Sequence, residues 1–486
     1  MTTDLADDFT GAHLIGGEWI SSGPTAESLN PARPGVAVGT YPVGDADTVT
    51  AAVTEATTAL GRWRSTPFTD RAAVLERAAD AIVARVDDLA RLCTLEEGKT
   101  LPESRGEVLL AAETFRYHAG MAKTSTERIF PSPTAGETIR TVRQPLGVVG
   151  VITPWNFPIQ IPAWKIAPAL AAGNTVVWKP ASNTPLLAVA LARLVHDAGL
   201  PPGVLNLVLG PGSMGATLVE HPDVDGVTFT GSVPVGLSIR DAVTARNARV
   251  QLELGGHNPA VVFDDADLAL AVPALVGGAM GATGQKCTAT RRIIAVGAIY
   301  NELVDRLATS VSALRVGDGL DEATQIGPLV SVGAHREVTT ALQGAHAEGA
   351  ETLAVASAGP TDGSFFSPTL LAGSADLAIT RDEVFGPVTT VLRVDDDDAA
   401  FALANDTEFG LSASIFTNDM WRIDRALNEL QAGLIKINGP TTGSELHAPF
   451  GGEKASSGHA AREQGDTAVD FFTRTRTAYI RPGTMR

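Results

Sequence analysis

Short apolar runs and amphipathic stretches alternate along most of this 486-residue chain. "LGVVGVIT" (146–153) predicts a buried strand, and a proline-punctuated helix follows through Ala172. "TVVWK" (175–179) predicts the next strand, and 185–198 a helix closed by "AGLPPG". "VLNLVLG" (204–210) reads as strand before helix, "GVTFTG" (226–231) as strand, and 233–246 as helix. A second alternating region starts near 258 with "NPAVVF" and runs to about 455. Such alternation predicts parallel sheets with helices on both faces, hence two α/β domains. Residues 65–95 predict one long amphipathic helix with a polar start. "TIRTVRQ" (138–144) and "DFFTRTRTAYI" (470–480) alternate like strands yet fit neither domain. They read either as ordinary edge strands or as strands that pair with a partner subunit, because a lone exposed strand invites pairing.

Composition narrows the function classes. The net charge of −18 argues against nonspecific binding to nucleic acid or anionic membrane. No apolar run approaches the roughly 20 residues that span a bilayer. The start, "MTTDLADDFT", is too acidic and polar to read as a signal or mitochondrial presequence. Two cysteines make no disulfide framework, so a reducing cytoplasm is the expected compartment. The nine histidines show no HxxxH or Cys/His cluster, so no protein-bound metal is expected. The run "DDDD" (395–398) precedes the helical stretch "AAFALAND" and reads as solvated N-cap acids rather than metal ligands.

The two cysteines differ in setting. Cys93 lies in "DDLARLCTLEE", on one face of an amphipathic helix, where a free cysteine is a small hydrophobe. Cys287 lies in "GATGQKCTATRR", among small and polar residues, which suggests either a reactive thiol or a loop cysteine of no consequence. "GPGSMG" (210–215) matches the dinucleotide fingerprint between a strand and a helix. The acidic residue that should end the next strand is missing, because "GVTFTGS" ends in Thr230 and Ser232. A second glycine turn, "GSVPVG" (231–236), also joins strand to helix and could present N–H groups to a pyrophosphate.

A thiolate can form a covalent tetrahedral adduct with a carbonyl substrate, and Cys287 is the only candidate outside a predicted helix core. Asn156, in "TPWNFP" (153–158), could donate to the adduct's oxyanion, together with the Cys287 backbone N–H. Glu253, after "VQLEL" and before Gly255-Gly256, would stand at a strand end, where a carboxylate could activate water. Read singly, Asn156 and Glu253 are better taken as a helix-capping asparagine and a salt-bridged glutamate.

"TPWNFP", "WKPASNTP" (178–185), "LELGGHNP" (252–259), "GQKC" (284–287), "EVFGP" (383–387) and "PFGGEKASSG" (449–458) occur in the order and spacing of the aldehyde dehydrogenase superfamily. The resemblance runs from "HLIGGEW" (13–19) to the terminal strand. It implies an α/β, aldehyde dehydrogenase-like fold with two doubly wound α/β domains and a small β oligomerisation flap. The implied division is 1–126 and 146–255 for NAD(P) binding, 256–457 for catalysis, and 127–145 with 458–486 for oligomerisation, in a homodimer or homotetramer. It implies Cys287 as nucleophile, Asn156 as oxyanion donor and Glu253 as base. For the cofactor, NADP or NAD, it implies Lys179 and Ser182 near the adenosine ribose, and Glu383 at the nicotinamide ribose. Gly231, Ser232 and Gly236 would lie near the pyrophosphate, with Trp155, Thr230 and Phe385 lining the groove. Glu463, in "AREQG", corresponds to a carboxylate that relays protons, or else serves as a structural ion pair.

The sequence departs from the superfamily pattern twice. Ser182 stands where many NAD-preferring members carry a glutamate that repels a 2′-phosphate, which leaves NADP admissible. His257 stands where "ELGGK" carries lysine. "PAWKIAPAL", "GQKCTATRR" and "HAPFGGEKASSGHAAREQG" most resemble α-ketoglutaric semialdehyde dehydrogenases, which oxidise 2,5-dioxopentanoate to 2-oxoglutarate. Succinate semialdehyde dehydrogenases are the rival, but often carry an arginine where this chain has Trp164; a broad-range aldehyde dehydrogenase is a third reading. Arg291 and Arg292 are candidate cations for a substrate carboxylate, against a structural role beside a strand. A non-catalytic binding protein on this fold and a cofactor-free thioesterase are the readings from other classes.

Overall fold

The computed structural model describes residues 11–124, 127–457 and 461–483. The acidic start and part of the "ASSGHAAREQG" segment lie outside them. Two seven-stranded sheets organise the chain. In the first, Arg249–Glu253, Gly226–Thr230, Val148–Ile152, Thr175–Lys179 and Leu205–Leu207 run parallel, in that spatial order. The antiparallel pair His13–Ile15 and Glu18–Ile20 extends its edge. The strand sequences explain their burial on both sides. Val149 and Val151 join one core with helices Phe68–Ala84, Leu101–Met121 and Pro185–Asp197. Val148 and Ile152 join the opposite core with helices Ala46–Ser65 and Gly212–Glu220. Period-two alternation of uniformly apolar residues thus serves two helical layers.

The second sheet repeats the plan. Thr369–Ala372, Val388–Val394, Thr290–Val296, Asn258–Val262, Ser412–Phe416 and Leu434–Ile437 are parallel, and Glu351–Val355 closes one edge antiparallel. Val262 and Ile293 face one core, Val261 and Ile294 the other.

Three local expectations change. The single helix over 65–95 is two, Phe68–Ala84 and Val86–Glu97, broken at Arg85, whose φ of −117° and ψ of 23° leave the helical region. Residue 65 instead ends the preceding helix. The two orphan strands pair with each other: Thr473–Ile480 runs antiparallel to Thr138–Pro145 over its full length, with Ile129–Phe130 beyond. This third sheet still exposes Ile129, Tyr479 and Ile480. The aspartate run serves as expected. Asp396 accepts from the Ala399 N–H as N-cap, while Asp397 and Asp398 pair with Arg422 and Arg425. Cys93 is fully buried within the first core.

Candidate active site

The first sheet reverses its winding between Val148–Ile152 and Gly226–Thr230. Loops leaving the carboxyl ends of such a pair diverge and open a crevice. Thr153–Asn156 leaves one strand and Gly231–Ser232 the other, while Glu253 ends the adjacent strand opposite Thr230. From the second sheet comes Cys287, on the turn that leads into Thr290–Val296. A cavity of about 220 Å³ lies where they meet, lined by Trp155, Asn156, Thr230, Gly231, Ser232, Cys287, Glu383 and Phe385, with Pro154, Leu254 and Gly255. The candidates from "TPWNFP", "GSVPVG", "GQKC" and "EVFGP" are therefore brought together.

Cys287 is half-buried. Burial first, and then the charges of Glu383 and Glu253, push its thiol up to about 12. The buried Asn156 amide donates to the Gln285 carbonyl at 2.9 Å, beside the thiol turn. The Asn156 carbonyl accepts from the buried Lys99 amine at 2.5 Å, and Lys99 is paired with Glu107 at 2.6 Å. Glu107 also accepts the N–H groups of Ile159 and Gln160, so one buried ion pair holds both sides of the Asn156 loop. Glu253 is buried and accepts from the Ser457 hydroxyl at 2.8 Å. Its pKa lies well above the usual carboxylate range, through burial first and the neighbouring Glu463 second. Glu383 takes the Gly256 N–H at 3.2 Å, and a Cβ on Gly255 would stand 2.1 Å from its carboxylate, so this close approach requires glycine there. Trp155 and Phe385 meet edge to face with centroids 5.6 Å apart.

Glu253, Lys179, Ser182, Gly236 and Glu463 do not line this cavity. Lys179 is buried, donates to the Pro180 carbonyl at 2.9 Å, and is lowered to about 8 by burial. A Cβ on Gly215 of "GPGSMG" would lie 3.9 Å from the Lys179 stem. Ser182 is exposed and donates to the Gly210 carbonyl at 2.9 Å. The Gly231 N–H is engaged by the Glu253 carbonyl at 3.0 Å, leaving Ser232 and the first turn of Val233–Ala245 as the anion-facing donors of that glycine turn. Gly236 lies in that helix against Leu254. Glu463 is buried against Lys165 and accepts from Thr228 at 3.4 Å.

A model of the aldehyde dehydrogenase family matches residues 19–478. The chain belongs to that family. It is 43% identical to an alpha-ketoglutarate semialdehyde dehydrogenase of Haloferax volcanii, over 96% of this chain and 98% of the relative. It is 41% identical to an alpha-ketoglutaric semialdehyde dehydrogenase of Bacillus subtilis, over 98% of this chain and 99% of the relative. A crystal structure of a betaine aldehyde dehydrogenase point mutant from Staphylococcus aureus, in complex with NAD+, superposes with a TM-score of 0.94 at 33% identity, covering 99% of this chain and 97% of that one. The fold is therefore that of an aldehyde dehydrogenase.

On another side of Cys287 this aldehyde dehydrogenase builds an aromatic wall. Phe157, Ile161, Trp164, Leu411 and Phe450 cluster with the cysteine, and the Trp164 and Phe450 rings stand 5.4 Å apart. The buried Trp164 indole N–H meets no acceptor. Its position on the helix Gln160–Ala171, one turn from Gln160 and Ile161, was the available sequence signal for this wall. Arg291 and Arg292 are not substrate cations. Both are buried, and their guanidinium groups donate to main-chain carbonyls: Gly284 and Gly386 for Arg291, His257, Leu403 and Ala404 for Arg292. A strand-entering arginine pair is thus used to tie loops, as the structural alternative held. His257 is buried, lowered to about 3 by burial and by the two arginines, and touches the Ile379 carbonyl at 3.3 Å. No helix among the described residues is long and apolar enough to cross a membrane.

Proposed function

We propose that this enzyme oxidises 2,5-dioxopentanoate to 2-oxoglutarate with NADP or NAD, through a covalent adduct on Cys287. The observation that carries the reading is the convergence of Cys287, Asn156 and Glu383 on one cavity, with the Glu253 charge felt at the thiol. The names of the two relatives support the substrate. A thiolate attacks the aldehyde carbon, and the Asn156 amide and the Cys287 N–H stabilise the oxyanion of the thiohemiacetal. A bound oxidised nicotinamide cofactor would supply the hydride acceptor. Loss of hydride leaves a thioester on Cys287. Glu253 takes a proton from water, the hydroxide adds to the thioester, and the acid leaves with Cys287 restored.

The residues fit the cofactor. Lys179 has no ion pair among the described residues, Ser182 brings no carboxylate, and the turn at Ser232 opens a thirteen-residue helix whose first N–H groups can take a phosphate. Trp155, Thr230 and Phe385 would flank the nicotinamide end, Glu383 its ribose, and Gly236 lets the helix close on Leu254. Glu463, paired with Lys165, would carry protons away from Glu253. In this reading 1–126 and 146–255 hold cofactor, 256–457 hold Cys287, and 127–145 with 458–486 join subunits of a homo-oligomer in the cytoplasm; the two seven-stranded sheets support the division. The exposed Ile129, Tyr479 and Ile480 on the third sheet support that last assignment.

The test is a panel of aldehydes with each cofactor, ranked by kcat/KM. The keto acid semialdehyde should exceed pentanal by about tenfold or more, the worth of one charge-assisted contact. Comparable efficiency on both overturns the substrate and leaves a broad-range enzyme; a lead for succinate semialdehyde reassigns it.

A further inference from the structure

The turn before Cys287 is strained. Ala282, Thr283 and Gly284 have φ of 49°, 55° and 66°, three successive residues in the left-handed region, one of them β-branched. Gly284 also presses on another loop, since a Cβ there would stand 2.1 Å from the Gly386 carbonyl oxygen. Arg291 straddles this contact. Its Nη1 donates to the Gly386 carbonyl at 2.7 Å, and its Nη2 to the Gly284 and Lys286 carbonyls at 2.6 and 3.4 Å. Its guanidinium carbon lies 5.8 Å from the Phe385 ring centroid. A planar, always charged fork suits this task, because it can hold two loops at fixed separation.

We infer that Arg291 is a positioning residue for the Cys287 chemistry: it locks the nucleophile turn onto the Glu383–Gly386 segment and supplies a fixed positive charge against which the thiolate forms. The inference rests on the proposed role of Cys287. The Lys286 carbonyl that the Arg291 guanidinium meets belongs to the residue just before the thiol, which puts the charge beside the nucleophile turn. Glu383 and Glu253 oppose ionisation of Cys287, whereas Arg291 interacts favourably with both Glu383 and the thiolate. Lys286 has Glu103, Lys99 and Glu97 as its charged neighbours. His257, which faces Arg291 and Arg292, is neutral. Arg291 itself is lowered by burial only to about 10, so it carries its charge at neutral pH.

The test compares the wild type with Arg291→Met, Arg291→Gln and Arg291→Lys, with Cys287→Ala as control. Alkylation of Cys287 by uncharged iodoacetamide is followed on its peptide by mass spectrometry from about pH 6 to 9, without cofactor, and the first-turnover burst of reduced cofactor is timed separately. Loss of the charge should raise the thiol pKa by about one unit, which after the gain in nucleophilicity slows alkylation about threefold or more in the neutral variants. Arg291→Lys should stay within about twofold in alkylation, yet slow the burst about tenfold, since an ammonium cannot span both carbonyls. If Arg291→Met does not fold, Arg291→Gln, which keeps amide donors without charge, gives the same comparison. Equal alkylation in all four proteins overturns the charge role, and a wild-type burst in Arg291→Lys overturns the positioning role. Turnover by Cys287→Ala would instead remove the nucleophile assignment, a result independent of the arginine variants.

Discussion

Lys165 and Glu463 form an ion pair buried inside the protein, and Glu463 is the charged neighbour that most raises the pKa of Glu253. Thr228 bridges the pair: its hydroxyl accepts from the Lys165 amine at 2.8 Å and lies 3.4 Å from Glu463. The second Glu463 oxygen is buried without a partner. Burial and the Glu463 charge therefore both act against ionisation of Glu253, the carboxylate proposed to take a proton from water.

Glu463→Gln should shift the acidic limb of the kcat profile to lower pH. Glu253 must be ionised to act as base, its pKa is raised partly by Glu463, and removing that charge lowers it. The same substitution leaves Lys165 without its buried counter-charge, so the melting temperature should fall, with a loss of about 3 kcal/mol. Thioester hydrolysis measured across pH checks the first part. An acidic limb that stays in place or moves up would show that Glu463 does not control the base.

Glu253→Gln should give one stoichiometric burst of reduced cofactor and then near silence, because acylation does not need the water-activating base. The thiol adds a second reading. Glu253 is one of the charges that push Cys287 up, so its neutralisation should leave iodoacetamide alkylation as fast or faster. Slower alkylation together with a lost burst would make Glu253 the base for the thiol instead.

The cysteines give an internal comparison. Cys287→Ala should lower turnover by about a thousandfold or more, since no adduct forms. Cys93→Ala should keep turnover and lose about 1 kcal/mol of stability, because Cys93 is a packed core residue on Val86–Glu97 with no access to the cavity. Steady-state rates and thermal melts of the two variants separate these effects.

What the sequence disclosed follows from the range of the signal. Val148–Ile152 and Thr175–Lys179 are legible because apolar period-two runs between turn residues are local facts. Cys287 stood out in the sequence through its contrast with Cys93. The break at Arg85 was not, since the apolar stripe continues through it and only the backbone departs. Nor were the destinations of Arg291 and Arg292: a guanidinium beside a strand can meet a ligand or a carbonyl, and the choice depends on loops near Gly386 and Ala404 far along the chain. The Glu253–Ser457 and Lys165–Glu463 contacts likewise arise only when the segment around Phe450 folds back across the first sheet.

Lys179 and Ser182 lead to a prediction about cofactor choice. Lys179 is lowered to about 8 by burial, so it loses its proton near physiological pH in the free enzyme. A dianionic 2′-phosphate beside it would favour the protonated amine and raise that pKa, so NADP binding should take up a proton. Affinity for NADP is then constant below about pH 8 and falls above it, whereas NAD, lacking the phosphate, changes less. Ser182 stands exposed at the neighbouring turn, its hydroxyl on Gly210, and adds no negative charge. Ser182→Glu should weaken NADP by about tenfold or more and NAD far less, because only the phosphate meets the new carboxylate at close range. Dissociation constants for both cofactors, titrated by fluorescence from about pH 6.5 to 9.5, check both statements. Parallel pH profiles for the two cofactors, or equal losses in Ser182→Glu, would place the 2′-position of the ribose away from Lys179 and Ser182.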